Sequence, residues 1–455
     1  MNRRDSDPRL SPPAATVMKL HYGLNEADSW WYFAHGPARE RLWARIRELQ
    51  PRIIRIFAFD KGTPDPVEDW AAFASYIQAV LEVGATPMIT FASFREPHDD
   101  ARAVRRFATR CADIVWGCIE QWGGGAVRDW YWCVWNEPNS TWIGGGLSFE
   151  RYRAIYEEVA HGVRRWLDPY LADRPALIGG PSVEGFDPFW LDWIWRFVNE
   201  IDPSLVGFVN WHRYADWRDH GEKGAPQDGG VHCALMLAQT SDYEARAQEV
   251  GRLLGSRRVF NVCGEWNAHS HYAPLVRARF NQTMLGAAFG SSALLHLIRG
   301  GADAEMLWTG TDEACGYGVL DKDARPTPLF HAKKLCAQYI RFGDCVTFPA
   351  ADANVTGFDF GVARGPDGSE SALLVHLRDM TARYVVSDHL ECQVNGSRVL
   401  KLDAGGGNRV EESAFDGAVT FQGYGVAVVT NAEPSPKAPE AELDGCRDEP
   451  MSAPR

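Results

Sequence analysis

The sequence predicts a (β/α)8 TIM barrel followed by a small antiparallel β-sandwich, and three observations support this fold class. Short apolar runs alternate with longer amphipathic runs, and eight such units fit between residues 16 and 342, the count and length of this barrel. Several short runs are apolar at every residue, as parallel strands covered on both faces are. No G-x-G-x-x-G turn follows the first strand, which argues against a doubly wound sheet.

The predicted elements follow one another in the order of a barrel. Apolar runs predict strands at 17–23, 52–59, 86–91, 130–135, 176–180, 206–212, 259–264 and 304–308. Amphipathic spacing predicts helices at 37–49, 66–83, 99–121, 148–167, 188–199, a segment ending at 254, 275–298 and 326–339. Pro51 ends the first helix, Gly84 takes the C-cap position of the second, and Ser148 is the predicted N-cap of the fourth.

The pattern changes after the barrel. In residues 343–432, short alternating runs are separated by Gly, Asp and Asn, which predicts a small antiparallel β-sandwich. Residue types typical of catalysis do not cluster there, so packing against the barrel is favoured over carbohydrate binding. Residues 1–15 and 433–455 are polar and contain several prolines, and both are predicted to be disordered.

Composition narrows the class of partner. The net charge is −13 and the pI is near 5.5, which excludes the basic surface that nucleic acids or anionic membranes require. The first residues lack the apolar core of a signal peptide, and no run is long enough to span a membrane. The 10 cysteines lack zinc-site spacing, so free thiols in a reducing, cytoplasmic setting are expected. The 18 tryptophans fit either an aromatic core or a carbohydrate site.

The segment Trp130–Trp142, WYWCVWNEPNSTW, centres on Glu137. Pro138 cannot donate to a strand ladder, so it marks a strand's carboxyl end. The indoles around Glu137 are expected to desolvate its carboxyl group and to raise its pKa. An acid that can release a proton near neutral pH is what cleavage of a glycosidic bond requires.

A second carboxylate, Glu265, follows the seventh predicted strand in the segment Glu265-Trp266-Asn267. The carboxyl ends of all barrel strands meet at one face, so Glu137 and Glu265 are expected to converge. A separation of about 5 to 5.5 Å would predict retention of anomeric configuration, and about 6.5 to 9.5 Å would predict inversion.

Three polar side chains are predicted to support Glu265 or to contact substrate. Arg55 lies on the second strand, where a charge inside the barrel needs an anion such as Glu265. His212 and Tyr214 end the sixth strand, and the Tyr214 hydroxyl is placed to donate to Glu265. For both of them a purely structural hydrogen bond is an equal alternative.

Three further residues are candidates for sugar contacts. Asn136 is expected to bind the hydroxyl beside the reacting carbon. Trp308 ends the eighth strand and is a candidate floor for the sugar ring, with core packing as the alternative. Trp142 is a weaker candidate, because single exposed aromatic residues are common.

No metal or cofactor is predicted. Five histidines fall on strand ends or loops of the second half of the barrel: His212, His220, His232, His269 and His271. Only the last two are close in sequence, and their i, i+2 spacing in a loop is a weak ligand pattern.

Taken together, these segments resemble glycoside hydrolase family 39. The resemblance rests on WNEP after strand four, HRY at strand six, GEWN at strand seven and WTGTD at strand eight, supported by GGP at Gly179–Pro181 and by GYGVLDKDARPTPLFHA. It covers residues 15–342 and implies a retaining mechanism with Glu137 as acid/base and Glu265 as nucleophile. It implies a glycoside substrate, no cofactor, and a small β-sandwich after the barrel.

Two departures concern the sugar. By this resemblance, the family's β-xylosidases carry Arg-x-His on strand two, whereas this chain has Arg55-Ile56-Phe57. They also have acidic residues after strand eight at positions where this chain has Ala314, Cys315 and Gly316. An acidic sugar would need a basic pocket, for which Arg213 is the main candidate.

Three functions therefore stay open. A retaining O-glycosidase, xylosidase-like but of undefined sugar specificity, is favoured. A non-catalytic sugar-binding barrel is disfavoured because both glutamates are present. A transglycosidase would share the same residues. Exo or endo action and the oligomeric state are undetermined.

Overall fold

The computed structural model describes eleven stretches of the chain, and all structural statements below refer to them. They are residues 14–27, 29–60, 62–92, 100–172, 174–216, 230–270, 283–313, 316–348, 357–386, 397–407 and 409–435.

Eight parallel strands close into a barrel, as the sequence predicts. In chain order they are β2 (Gly23–Asn25), β3 (Ile53–Ala58), β4 (Thr86–Phe91), β5 (Tyr131–Val134), β6 (Ile178–Val183), β7 (Phe208–Asp216), β8 (Phe260–His269) and β9 (Ala304–Leu307). Large apolar side chains, among them Met88, Tyr131 and Phe208, fill the lower half of the barrel interior. The barrel interior is therefore a packed core, and functional polar side chains are expected at the carboxyl ends of the strands.

The helices surround this barrel. They are α1 (Trp30–Ala34), α2 (Arg39–Glu48), α3 (Trp70–Glu82), α4 (Ala101–Trp122), α5 (Gly124–Val127), α6 (Phe149–Leu171), α7 (Trp190–Glu200), α8 (Gly230–Ala238), α9 (Ser241–Leu254), α10 (Met284–Gly300) and α11 (Pro328–Tyr339). Ser148 caps α6 as predicted, because its hydroxyl accepts from the backbone N–H of Arg151 at 3.3 Å. Within the described residues, no helix is long and apolar enough to cross a membrane.

The prediction for the first barrel strand is wrong. The predicted strand 17–23 is split between β1 (Ala14–Val17), which lies outside the barrel, and β2, which begins at Gly23. Apolar residues in between, such as Met18 and Leu20, are fully buried and imitate a strand pattern. Ala14 and Ala15, which lie in the segment predicted to be disordered, belong to β1. Residues 1–13 and 436–455 lie outside the described residues.

A separate two-stranded sheet, β10 (Thr311–Asp312) and β11 (Leu320–Asp321), precedes α11. After α11, antiparallel strands form the predicted sandwich. They are β12 (Cys345–Phe348), β13 (Phe358–Arg364), β14 (Glu370–His376), β15 (Ala382–Val385), β16 (Arg398–Asp403), β17 (Glu411–Ala414), β18 (Ala418–Phe421) and β19 (Gly425–Thr430). The main sheet has the order β1-β12-β13-β14-β19-β16-β17, and β15 pairs with β18 in a ribbon. A small apolar core that includes Phe360, Tyr384 and Phe421 belongs to these strands. The short pair β10–β11 is parallel and follows the barrel directly.

The main sheet and the barrel share one apolar core. Leu373 and Val428 of the sheet belong to the same buried cluster as Leu295 of α10 and Phe330 of α11. The sheet thus packs on the last two helices, and β1 extends its edge with a segment from the start of the chain. The first and the last strand of the described chain, β1 and β19, thus belong to the same sheet.

Candidate active site

The two predicted glutamates lie at the carboxyl end of the barrel. Glu137 follows β5, where its backbone adopts a φ of 47°, and its N–H donates to the carbonyl of Ser182 at 3.0 Å. Glu265 was predicted to follow a strand that ends at residue 264, but β8 continues to His269. Glu265 is therefore inside the strand, at a register shift between Cys263 and Trp266. Such bulges re-aim side chains next to functional sites.

One histidine bridges the two carboxyl groups. The Nδ1 atom of His212 lies 2.8 Å from Oε1 of Glu137 and 3.5 Å from Oε2 of Glu265. One oxygen of each glutamate and this nitrogen all lie within 4.8 Å of one another. The convergence of Glu137 and Glu265, expected from strand order alone, is therefore present in the structure.

Glu265 accepts hydrogen bonds at both oxygens. Nη1 of Arg55 lies 2.6 Å from Oε1, and the hydroxyl of Tyr214 donates to Oε2 at 2.9 Å. All three side chains are buried. These two donors fix the orientation of the carboxylate, which leaves it little freedom to rotate away from a bound substrate.

Arg55 is completely buried and is held by four side chains. Its guanidinium donates to Glu265, to Asn136 Oδ1 at 2.7 Å, to Thr90 Oγ1 at 2.8 Å and to Asn25 Oδ1 at 3.3 Å. A buried charge is tolerated only when it is paired and its donors are satisfied. Because Asn136 gives its oxygen to Arg55, its amide nitrogen is directed away from the guanidinium.

Burial sets the protonation states of Glu137 and His212. It raises the pKa of Glu137 to about 7, while the positive charge of Arg55 opposes this shift. Burial also lowers the pKa of His212 to about 3, although the charge of Glu265 acts in the opposite direction. The imidazole is therefore neutral at physiological pH, and its contact with Glu137 is a hydrogen bond rather than an ion pair.

An apolar corner lies beside Arg55. Trp308 packs edge-to-face on Phe57 at 5.8 Å between ring centroids, and Ala27 and Ala92 complete the cluster. The guanidinium of Arg55 stacks over Phe57 at 4.5 Å. Trp308 is only partly buried, so it keeps an accessible surface at the mouth of the barrel.

Two sequence candidates are not brought into this cluster. The indole of Trp142 is 93% exposed on the loop after β5. Arg213 points outward, because successive strand residues alternate in direction and His212 and Tyr214 face the glutamates. Its guanidinium donates to Gln239 and Asp242, each at 2.7 Å. It therefore does not provide a basic pocket for an acidic sugar.

The residues that hold Arg55, apart from Asn136 and Glu265, were not among the predicted site residues. Thr90 is the one polar residue of the otherwise apolar run 87–91, and that exception was a usable signal. Asn25 was not predicted because the first strand was expected at 17–23, whereas β2 ends at Asn25. Glu184, which follows β6, was passed over because the fifth strand was predicted to end at residue 180. Cys315 lies outside the described residues.

A metal ion is chemically conceivable at this position. Glu137, His212 and Glu265 have the ligand types and spacing that can hold one. The guanidinium of Arg55, 2.6 Å from Glu265, would repel a cation and already occupies one of the carboxylate oxygens. The donor set therefore fits an organic substrate better than a metal.

The chain resembles known glycosidases in sequence and in fold. It is 32% identical over 280 residues to a β-xylosidase of Geobacillus stearothermophilus, a match that covers 58% of this chain and 50% of the relative. The chain spans about half the length of the curated relatives it matches. No family model matches the chain.

Solved structures share the whole architecture. A family 39 β-xylosidase from Caulobacter crescentus superposes with a TM-score of 0.59 at 18% identity, over 93% of this chain and 98% of that one. A family 51 α-L-arabinofuranosidase from Bifidobacterium longum gives a TM-score of 0.63 at 15% identity, over 92% and 97%. These likenesses concern the fold. With the sequence match they agree with the motifs at the strand ends: the chain is β-xylosidase-like and resembles glycoside hydrolase family 39.

Proposed function

We propose that this protein is a retaining glycoside hydrolase. The observation that carries the proposal is the short approach of Glu137 to Glu265, with one oxygen of each within 4.8 Å. This approach suits a nucleophile and an acid/base, which lie about 5 to 5.5 Å apart in retaining enzymes. Inverting enzymes leave room for a water between their carboxyl groups, about 6.5 to 9.5 Å.

In the first step, Glu265 attacks the anomeric carbon and the bond from that carbon to the leaving oxygen breaks. Glu137 transfers its proton to that oxygen, so the leaving group departs as a neutral alcohol. The pKa of about 7 for Glu137 suits this role, because such an acid is still protonated near neutral pH. The product of this step is a glycosyl ester of Glu265.

In the second step, Glu137 acts as a base. It removes a proton from water, the water oxygen bonds to the anomeric carbon, and the ester bond to Glu265 breaks. Arg55 and Tyr214 hold the carboxylate in the same orientation before and after this step. His212 is neutral, and its hydrogen bond with Glu137 fixes the rotamer of that side chain.

The remaining candidates have roles around this centre. The amide nitrogen of Asn136 donates to the hydroxyl next to the reacting carbon, an interaction that strengthens in the transition state. Trp308 supports the sugar ring by stacking. Trp142, on the loop that follows Glu137, is assigned to the leaving-group side, where an exposed indole can contact a sugar or an aryl group.

The substrate class is a glycoside, and the specific sugar is narrowed by Phe57. Both curated relatives carry the name β-xylosidase. In this chain, Phe57 and Trp308 form an apolar corner where a hydrogen-bonding side chain is expected in the xylosidases. Xyloside hydrolysis is therefore the first activity to test, within a panel that includes glucosides, galactosides and arabinosides.

The acid/base and nucleophile assignments are tested by substitution. We expect Glu137→Gln to lose far more activity on glycosides with poor leaving groups than on activated aryl glycosides, because only the former need protonation. Added azide should restore turnover of the activated substrates. Glu265→Ala should abolish turnover, and proton NMR of the wild-type reaction should show a first product of unchanged anomeric configuration.

Other outcomes would point to other functions. Equal losses on both substrate types would contradict the role of Glu137, and an inverted first product would contradict the retaining mechanism. Sugar binding without turnover over the whole panel would indicate a binding protein. Transfer to an added sugar acceptor in preference to water would indicate a transglycosidase.

A further inference from the structure

A cavity of about 380 Å³ lies between helices α4 and α6, outside the barrel strands. Val104 and Arg105 line it from the first turns of α4, and Arg151 and Ala154 line it from the first turns of α6. The helices of such a barrel begin on the side where the preceding strands end. The cavity therefore lies toward the same side of the barrel as Glu137, and its volume is sufficient for a small organic ligand.

One wall of the cavity carries a guanidinium group with free donors. Nε and Nη2 of Arg151 are buried and have no hydrogen-bond partner in the part of the chain that the structure describes. Arg213 and Arg246 each leave one buried nitrogen in this state, whereas Arg151 leaves two. Buried donors without a partner are rare, because they lose their bonds to water and gain nothing in return. A ligand that accepts from both nitrogens would compensate this loss.

The geometry of the two free nitrogens indicates a carboxylate. The N–H bonds of Nε and Nη2 lie on one edge of the planar guanidinium group and point in the same direction, so they match the two oxygens of a carboxylate. Two acidic side chains line the same cavity, but neither takes this position. Glu157 accepts from Arg153 at 2.9 Å, and Glu158 is exposed to solvent. Arg105, also exposed, adds a second positive charge to the lining.

The rest of the cavity suits the ring of a sugar acid. Ala101, Val104 and Ala154 provide small apolar surfaces against which the C–H groups of a ring can pack. Glu158 and His161, further along α6, provide polar atoms for hydroxyl groups. A ligand as small as acetate would leave most of the volume empty, whereas a hexuronic acid combines a carboxylate with a hydroxyl-bearing ring.

We propose that this cavity is a binding site for a hexuronic acid, whose carboxylate accepts from Nε and Nη2 of Arg151 and whose ring lies between Val104 and Ala154. The site is separate from Glu137 and Glu265, and no step of the proposed hydrolysis involves it. It goes beyond the proposed function, because it gives the chain a second sugar site that is specific for an acidic unit.

Binding of glucuronate to the full chain, measured by isothermal titration calorimetry, tests the site. Glucose is the neutral analogue, acetate is the carboxylate without a ring, and glucuronate should bind at least about tenfold more tightly than either. Arg151→Gln removes both charge-assisted hydrogen bonds, so it should weaken glucuronate binding about tenfold or more. Arg151→Lys keeps the charge but not the paired donors, and it should recover only part of the affinity. Arg165→Gln removes the same charge from an exposed position of α6 and should bind as the wild type does.

A second variant keeps the test decisive if Arg151→Gln does not fold. Ala154→Phe fills part of the cavity from an exposed helix position and leaves Arg151 unchanged, so it should weaken glucuronate binding by a similar factor. Binding that survives either substitution in a folded protein would place glucuronate elsewhere, the active site included, and would overturn the proposal.

Two further results on the wild type would also overturn it: no binding of glucuronate, or equal affinity for glucuronate and for glucose or acetate. A wild type that binds glucuronate through Arg151 but hydrolyses no glycoside would contradict the proposed function and leave this site standing.

Discussion

At the residue scale, the site depends on where the protein tolerates buried charge. Arg55 and Glu265 compensate each other at 2.6 Å, and Asn25, Thr90 and Asn136 satisfy the remaining donors of the guanidinium. Glu137 has no such cation in contact and lies against a neutral imidazole. The two glutamates are equally buried, so their different partners distinguish them: Arg55 and Tyr214 donate to Glu265, whereas Glu137 contacts a neutral imidazole.

This separation predicts how stability depends on pH. Glu137 has a pKa of about 7 in the folded protein, against an ordinary value of 4.5 for glutamate, so the folded state binds the proton more tightly. Folding stability must therefore fall as pH rises from about 4.5 to 7, and the loss reaches at most about 3 kcal/mol. Glu137→Gln lacks this carboxyl group, so we expect its stability relative to the wild type to increase over that range.

Urea unfolding of both proteins at pH 5 and pH 8 measures the effect. The comparison uses the change between the two pH values, which removes any constant cost of losing the contact with His212. A stability difference that is the same at both pH values would contradict a raised pKa for Glu137.

At the scale of elements, strand ends determine the site, and they are also what sequence patterns locate least well. Apolar runs located seven of the eight barrel strands and misplaced the first. Strands β7 and β8 extend past the apolar run because His212, Tyr214 and Glu265 remain in the ladder after it. An apolar run therefore predicts a strand only up to the polar residues that form the site, although the strand itself continues through them.

The same limit explains the individual errors. Arg213 was grouped with His212 and Tyr214 by proximity in sequence, whereas the continuing strand turns it to the opposite face. The approach of Glu137 to Glu265 was predictable because barrel topology brings strand ends together. The contacts of Arg55 with Asn25 and Thr90 depend on side-chain packing between neighbouring strands, which one sequence does not reveal.

The loop after β5 allows a prediction at this scale. A Cβ atom at Gly144 would lie 1.8 Å from the carbonyl oxygen of Glu137, and the Gly144 carbonyl accepts from the indole N–H of Trp135 at 2.9 Å. Gly144→Ala must therefore push the loop off the Glu137 backbone. We expect kcat/KM to fall about tenfold to a hundredfold, since small displacements of an acid/base are costly, with a modest loss of stability. Gly125→Ala, where a Cβ atom has free space, is the matched control and should retain full activity.

At the scale of the whole molecule, the β-sandwich shares a buried apolar core with the barrel, so we expect the two to fold together. In addition to this apolar core, a cluster of polar side chains on α10 connects the β-sandwich to the barrel. The Ser292 hydroxyl lies 2.7 Å from Asp359 Oδ2 on β13. His296 contacts the same oxygen at 3.3 Å through Nε2 and Glu244 at 2.9 Å through Nδ1. Disrupting this cluster is expected to weaken the entire fold, because both layers depend on the same helix.

His296 therefore predicts a pH-dependent link between sandwich and barrel. Burial lowers its pKa, but the hydrogen bond to Glu244 and the charges of Asp359 and Glu244 outweigh burial, so the pKa is raised above 6.5. A raised histidine pKa contributes stability below the unfolded value, and this contribution disappears as pH rises through the folded value. His296→Gln should therefore destabilise the protein by about 1 to 3 kcal/mol at pH 6 and by clearly less at pH 9. His161→Gln, at an exposed position of α6, should have little effect at either pH.

Urea unfolding followed by fluorescence and by circular dichroism should give one coincident transition for the wild type, because the barrel and sheet share a core. Two separate transitions would show that the sandwich folds independently and that His296 does not link it to the barrel.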